Sequence, residues 1–340
     1  MNLRDRLVIR TFFLFSLLCS HFLVGARSSF VDLKKIADQH RLKISQNTNT
    51  ATISLKNEKH TFCFSPKSKE ACIDNVKVFL TYPLEVTSIT TKRRYRRRQQ
   101  ILDKRQTSDT TNRYRIARVD VEKIILPLLL PRKTVSKATK IIVIDPGHGG
   151  KADGTQNKRL GVKEKNLTLK TARMLEENLK RLGYVVFLTR NKDIDLTLEQ
   201  RSRFANQKKA DLFLSLHYNS APSLQAQGIE TFAYSFYGHP STDGNCKNDK
   251  RVAVHKFDGA NTYLAWCLQK KLCQELGAND RGVRRGRMAV LGGLDCPGVL
   301  VECGFLSHDG EASKLKTEAY QKRLINAISH AIQYFKNNIN

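Results

Sequence analysis

Between Lys140 and Gly150 the chain reads KIIVIDPGHGG, and Ile141, Ile142, Val143 and Ile144 follow one another with no polar alternation. A strand of four branched apolar residues in succession is stable when both of its faces are covered, as in a parallel sheet between helical layers. Asp145, Pro146 and Gly147 then end the strand and carry His148 into a glycine loop. In an open α/β sheet, the loop at the carboxyl end of a strand is the ligand-binding edge. One histidine at such a place also has a plain reading as a turn or capping residue, so the rest of the chain must decide between the two.

The texture from Lys140 onward is strand alternating with helix. NLTLKTARMLEENLKRLG (166–183) carries Leu167, Met174, Leu175, Leu179 and Leu182 on a helical stripe and stops at Gly183. YVVFLTR (184–190), DLFLSLHYNS (211–220), GIETFAYSFY (228–237) and GVLVECGFLS (298–307) read as further strands. Segments 196–210, about 260–276 and 320–335 read as helices. The expected fold class is α/β, a mixed, largely parallel sheet flanked by helices, preceded by a small α+β N-terminal module.

That module spans 30–131. Leu33, Ile36, Ala37 and Leu42 have helical spacing, and the runs 51–55, 61–65 and 75–86 alternate as strands of a small antiparallel sheet. The order of helix, hairpins and a closing apolar run at 114–131 loosely resembles the N-terminal α+β modules of amidases and copper amine oxidases, which implies docking or positioning. Within it, KRRYRRRQQILDKR (92–105) sets eight basic residues against Asp103. Such a run repels itself and belongs in a solvated loop, or adheres to an anionic wall polymer. Residues 132–139 are polar and read as the linker.

Arg4, Arg6 and Arg10 precede an apolar stretch at 11–24, and Val24, Gly25 and Ala26 offer small residues for cleavage. This is the layout of a secretory signal peptide over 1–26, and the apolar stretch falls short of the roughly 20 residues that span a bilayer. Localisation is therefore expected to be periplasmic or otherwise exported to the cell wall, with no stable transmembrane span. A net charge of +28 over 340 residues asks for a polyanionic partner. Export turns that expectation from nucleic acid towards an acidic wall polymer. Of eight cysteines, Cys19 would leave with the signal. The odd number remaining leaves at least one free thiol. Cys63 and Cys72 fall on neighbouring strands, and most of the others read as small buried hydrophobes.

Two groups join His148. His217 stands at the end of the apolar strand LSLHYN, and Glu302 follows VLV, where an ionised carboxylate needs a partner to be buried. Glu164 in GVKEKN precedes the first helix, whose N-terminus favours negative charge facing the same sheet edge. Each has an ordinary alternative as a first-turn acid, a bonded core ring or half of an ion pair. Their convergence is the signal: two imidazoles and one carboxylate with an open position form a catalytic zinc set, leaving one carboxylate to move protons. His239, His255 and His308 show no strand-end pattern and read as surface residues.

The segments IVIDPGHGG, GVKEKNLTL, VVFLTR, LEQRSRFAN, ADLFLSLHYNS, GIETF, NTYLA, AVL, PGVLVECGFLS and YQKRLINAISHAIQYF occur in this order. Together, from about Lys140 to Phe335, they resemble the zinc-dependent N-acetylmuramoyl-L-alanine amidases of the AmiC/LytC type. The resemblance implies a zinc amidase catalytic domain over 140–337, with metal ligands His148, Glu164 and His217, Zn2+ as cofactor and Glu302 as the catalytic residue. It implies peptidoglycan muramyl peptides as substrate, cut between N-acetylmuramic acid and L-alanine for wall remodelling or daughter-cell separation. An activator protein is allowed as a further partner. Departures fall at Cys303, at SHDGE (307–311) and at Thr262, none of them a ligand. Segment 238–259 is polar and short, unlike the blocking helix of some relatives. Two other readings stand beside this one: a zinc peptidase or carboxypeptidase acting within the stem peptide, and a wall-binding protein without turnover.

Overall fold

The computed structural model describes residues 29–47, 49–93, 107–131, 139–242 and 256–338. The signal segment 1–26, most of the basic run, the linker at 132–138, His255 and Cys246 lie outside the described residues. The strands in chain order are β1 (Phe30–Asp32), β2 (Lys43–Asn47), β3 (Thr52–Lys56), β4 (Thr61–Phe64), β5 (Glu70–Ile73), β6 (Val76–Phe79), β7 (Glu85–Arg93) and β8 (Thr107–Ala117). They continue with β9 (Ile141–Pro146), β10 (Gln156–Asn157), β11 (Val162–Lys163), β12 (Val185–Leu188), β13 (Leu212–Asn219), β14 (Ile229–Tyr234), β15 (Asp280–Gly286) and β16 (Gly298–Phe305). The helices are α1 (Leu33–Gln39), α2 (118–129, π-helical over Val121–Ile125), α3 (Glu164–Arg181), α4 (Leu198–Gln207), α5 (Asp258–Leu276), α6 (Asp309–Leu315) and α7 (Glu318–Asn338).

Eleven strands form one sheet in the order β12-β9-β13-β16-β14-β15-β6-β5-β4-β3-β2. The chain runs from β9 to β12 on one side and then to β13 on the other. This places a topological switch at the carboxyl ends of β9 and β13, the crevice where α/β sheets bind ligands. β12, β9, β13 and β16 are parallel, whereas β14 runs antiparallel to β16. Alternation sorts the core. Ile142, Ile144, Leu212, Leu214 and Leu216 face one layer with α3, α5 and α7. Val143, Phe213, Phe232 and Leu300 face the other with Ala205 of α4.

The N-terminal module is no separate body. Its antiparallel strands β2 to β6 extend the catalytic sheet, with β6 parallel to β15 and Val78 opposite Val283. α5 seals the joint: it is buried nearly all round, and Trp266 Nε1 donates to the Ile73 carbonyl of β5 at 3.4 Å. A helix buried on every side has no amphipathic stripe. Gly282, with φ +95°, permits the junction, because a Cβ there would lie 2.8 Å from Phe79 Cε2 and 3.1 Å from the Lys77 carbonyl.

Several sequence readings are corrected. The run 75–86 is broken into β6 and the start of β7, and β2, β5, β15 and α6 join the elements read from sequence. His239 packs edge-on against Tyr82, and His308 caps α6 through Glu311 N at 3.0 Å, so neither is a free surface residue. Cys63 and Cys72 stand directly opposite in β4 and β5 as free thiols, and Cys267, Cys296 and Cys303 are buried.

Candidate metal centre and its supporting shell

β9 ends at Pro146, and Gly147 N donates to Leu216 O of β13 at 3.0 Å. Only glycine fits at 147, since a Cβ would come within 2.3 Å of the His217 ring. His148 follows with φ 62°, a left-handed conformation rare for a side-chain-bearing residue and held here by its surroundings. Two buried arginines supply the hold. Arg190 donates to Pro146 O at 2.9 Å and Gly147 O at 2.8 Å; Arg201 donates to Pro146 O at 2.9 Å and His148 O at 2.8 Å. Arg201 also pairs with buried Asp145 at 2.8 Å, which accepts from Thr189 and Ser215 as well. Neither arginine carries a local signal of this role in the sequence, because the carbonyls that each meets belong to residues 146–148, far away along the chain.

Glu164 opens α3, and its buried carboxylate turns back to the sheet edge. Oε2 lies 3.1 Å from His148 Nε2 and accepts from Thr155 N at 2.8 Å. Oε1 lies 3.0 Å from His217 Nδ1 and accepts from Tyr218 N at 3.0 Å. Burial would raise this carboxyl, but the two imidazole hydrogen bonds outweigh it and bring the pKa down to about 2. Behind the site, buried Tyr218 bonds Thr171 of α3 at 2.6 Å and Gln321 of α7 at 2.9 Å, locking both helices to β13.

The donor atoms of His148, Glu164 and His217 all lie within 4.8 Å of one another. The structure thus brings together the three ligands expected from sequence. Two nitrogens and one carboxylate suit zinc and leave a coordination position open.

Glu302 is placed differently from the sequence reading. It lies inside β16 and not after it, opposite His217 on one side and Glu230 on the other. Its Oε2 is buried and has no hydrogen-bond partner among the described residues. Burial, with the carboxylates of Glu164 and Glu230 adding to it, pushes the group well above the usual carboxylate range. A dication beside it would favour its ionised form. In that ionised form, a carboxylate with a free oxygen next to the three-donor cluster would be equipped to accept a proton.

Comparison with known proteins follows the same division of the chain. The sequence pattern of N-acetylmuramoyl-L-alanine amidases matches residues 142–334, more than half of the chain. The chain belongs to this family. It is 32% identical over 196 residues to the N-acetylmuramoyl-L-alanine amidase LytC of Bacillus subtilis, covering 57% of this chain and 35% of that protein. It is 31% identical over 243 residues to the amidase AmiC of Escherichia coli, covering 64% of this chain and 58% of that protein. The chain thus spans little more than a third of one relative and over half of the other. Among solved structures, the catalytic domain of the amidase CwlV from Bacillus (Paenibacillus) polymyxa superposes with a TM-score of 0.50 at 31% identity. That match covers 58% of this chain and 98% of that domain. All three likenesses leave out a large part of the chain, and the family pattern begins beyond the N-terminal module.

Proposed function

We propose that the chain is a zinc-dependent hydrolase of the amide bond joining N-acetylmuramic acid to the L-alanine of peptidoglycan stem peptides. Export to the cell wall belongs to this proposal and rests on residues 1–26; among the described residues no helix is long and apolar enough to cross a membrane. Wall remodelling or daughter-cell separation is the process it would serve. The observation that carries the reading is the buried, unpartnered carboxyl of Glu302 opposite one member of the His148, Glu164 and His217 cluster.

His148, Glu164 and His217 would hold the ion, which when bound supplies Lewis-acid polarisation of the scissile carbonyl. Glu302 takes a proton from the attacking water at its free oxygen and returns it to the leaving amine. Arg190 and Arg201 keep the His148 loop in its left-handed turn, so that the imidazole meets Glu164 without rearrangement. Preorganisation of this kind lowers the reorganisation needed during the reaction.

Mass spectrometry of products from purified soluble muropeptides tests the reading. Release of intact stem peptide beginning with L-alanine is expected. Products cut within the stem would replace it with a peptidase reading, and no product from zinc-loaded protein would leave a wall-binding role.

A further inference from the structure

The face of the sheet that carries His217 and Glu302 does not stop at the catalytic strands. Glu230 of β14 sits opposite Glu302, accepts from Asn219 Nδ2 at 3.1 Å and takes Arg281 Nε at 2.7 Å, with Arg284 Nε at 3.5 Å. On β6, Val76 and Val78 are buried in the core, so alternation turns Lys77 and Phe79 to the same face as Glu302. There the Arg284 guanidinium lies 4.0 Å above the Phe79 ring, and that of Arg281 lies 4.7 Å above Phe305. Stacked guanidinium planes are held in place while their outer edges stay available for bonding.

Beside this row lies a cavity of about 450 Å³ whose lining includes Lys77, Gln225, Gln227, Arg281 and Arg284 together with the carboxylates of Glu70 and Asp280, the latter already taken up by Lys77 N, Gly282 N and Gln269 Nε2. Arg281 uses its Nε on Glu230, and the guanidinium fork carries two further nitrogens that can donate. The Lys77 ammonium, 34% exposed, pairs with Glu70, 52% exposed, at 3.2 Å. A pair of that kind is weak and readily exchanged. Three strand spacings of about 4.8 Å separate β16 from β6, roughly 14 Å, which is the reach of about four extended residues.

We propose that this cavity is the subsite for the stem peptide, with β6 of the N-terminal module as one wall and Arg281 and Lys77 binding a stem carboxylate. The inference rests on the amidase reading and deepens it: the module is part of the specificity surface. Forked guanidinium and ammonium donors recognise a carboxylate through charge-assisted hydrogen bonds, and the glutamine amides of 225 and 227 suit a peptide backbone.

The test uses the full chain loaded with zinc and two soluble muropeptides that differ only in whether the stem carboxylates are free or amidated. Lys77→Ala should raise KM for the free-carboxylate substrate by about 3- to 10-fold with kcat little changed, the mark of a binding contact away from the reacting bond. On the amidated substrate the same variant should match the parent. An equal rise on both substrates, or none on either, overturns the proposal. Calorimetric binding of an acidic L-alanyl tetrapeptide to Glu302→Gln protein, with and without Lys77→Ala, gives a readout independent of turnover. Loss of binding on Lys77→Ala supports the subsite even where the amidase reading fails; unchanged binding overturns the subsite alone.

Discussion

Asp145 and Arg201 lie 2.8 Å apart with side chains 1% and 4% exposed, whereas Glu85 and Arg115 of the module lie 3.4 Å apart with 43% and 45% exposed. The catalytic half thus buries charge beneath the loop that aims His148, and β7 and β8 keep theirs in water. The module core follows simple alternation, with β3 and β4 each burying every second residue. Desolvating a pair gains little stability, and buried pairs persist where they hold a particular geometry. Here that geometry is three backbone carbonyls and one left-handed histidine. The two pairs lie on different sheets: the eleven-stranded sheet is clamped by buried charge beneath the His148 loop and packed by apolar alternation in its module strands, whereas the separate three-stranded sheet β1-β8-β7 keeps its charges in water.

The largest effects are expected at the two glutamates of the catalytic half. Glu302→Gln preserves shape but cannot accept a proton, so amide cleavage should fall by about 10²–10⁴ while zinc content stays near the parent's. Glu164→Gln removes an anionic ligand and should lose both. Zinc content and turnover measured together on both variants decide it. Loss of zinc in Glu302→Gln with retention of zinc and rate in Glu164→Gln would reverse the roles.

Arg201→Met comes next, because it strands Asp145 without its cation. Breaking a buried pair from one side costs about 3–5 kcal/mol. Urea unfolding should show that loss, and a loss below about 1 kcal/mol would deny the clamp. Zinc uptake should weaken in the same variant as the His148 carbonyl is released.

The module has its own exception to the comparison. Asp120 is fully buried, accepts from Thr81 N at 2.8 Å and Tyr82 N at 3.1 Å, and burial lifts its pKa to about 6 against those bonds and the nearby Arg285. A carboxyl raised in the folded state binds more protons folded than unfolded, so stability falls as pH rises from about 4 through 6. The decline should reach at most about 3 kcal/mol. Asp120→Asn should flatten this dependence in denaturation followed between pH 4 and 7, and an unchanged slope would assign it to other groups.

The smallest effect is expected at Arg115→Met, where an exposed pair is removed. Unfolding free energy should change by no more than about 1 kcal/mol. A loss as large as that of Arg201→Met would erase the contrast between the buried pair beside the large sheet and the exposed pair of the three-stranded one.

Much of this was readable along the chain. The unalternated run Ile141–Ile144, the stripe of the first long helix and the turn residues around His148 are local signals, because strand burial, helix amphipathicity and glycine turns are set by near neighbours. They placed His148, Glu164 and His217 at one sheet edge. What escaped reading depends on partners far away in sequence. β15, written DRGVRRG, carries too many arginines to look like a strand between two others. Its charges find Glu230, Phe305 and Phe79 only once β14, β16 and β6 are beside it. Arg190 and Arg201 look like solvent residues until folding puts the carbonyls of 146–148 around them. The join of module to sheet has a similar origin, since the space left by Gly282 matters only when Phe79 arrives there. Local pattern specifies which segments must be buried and where the chain must turn; which buried charge meets which partner follows from strand order and register, and these are properties of the assembled sheet.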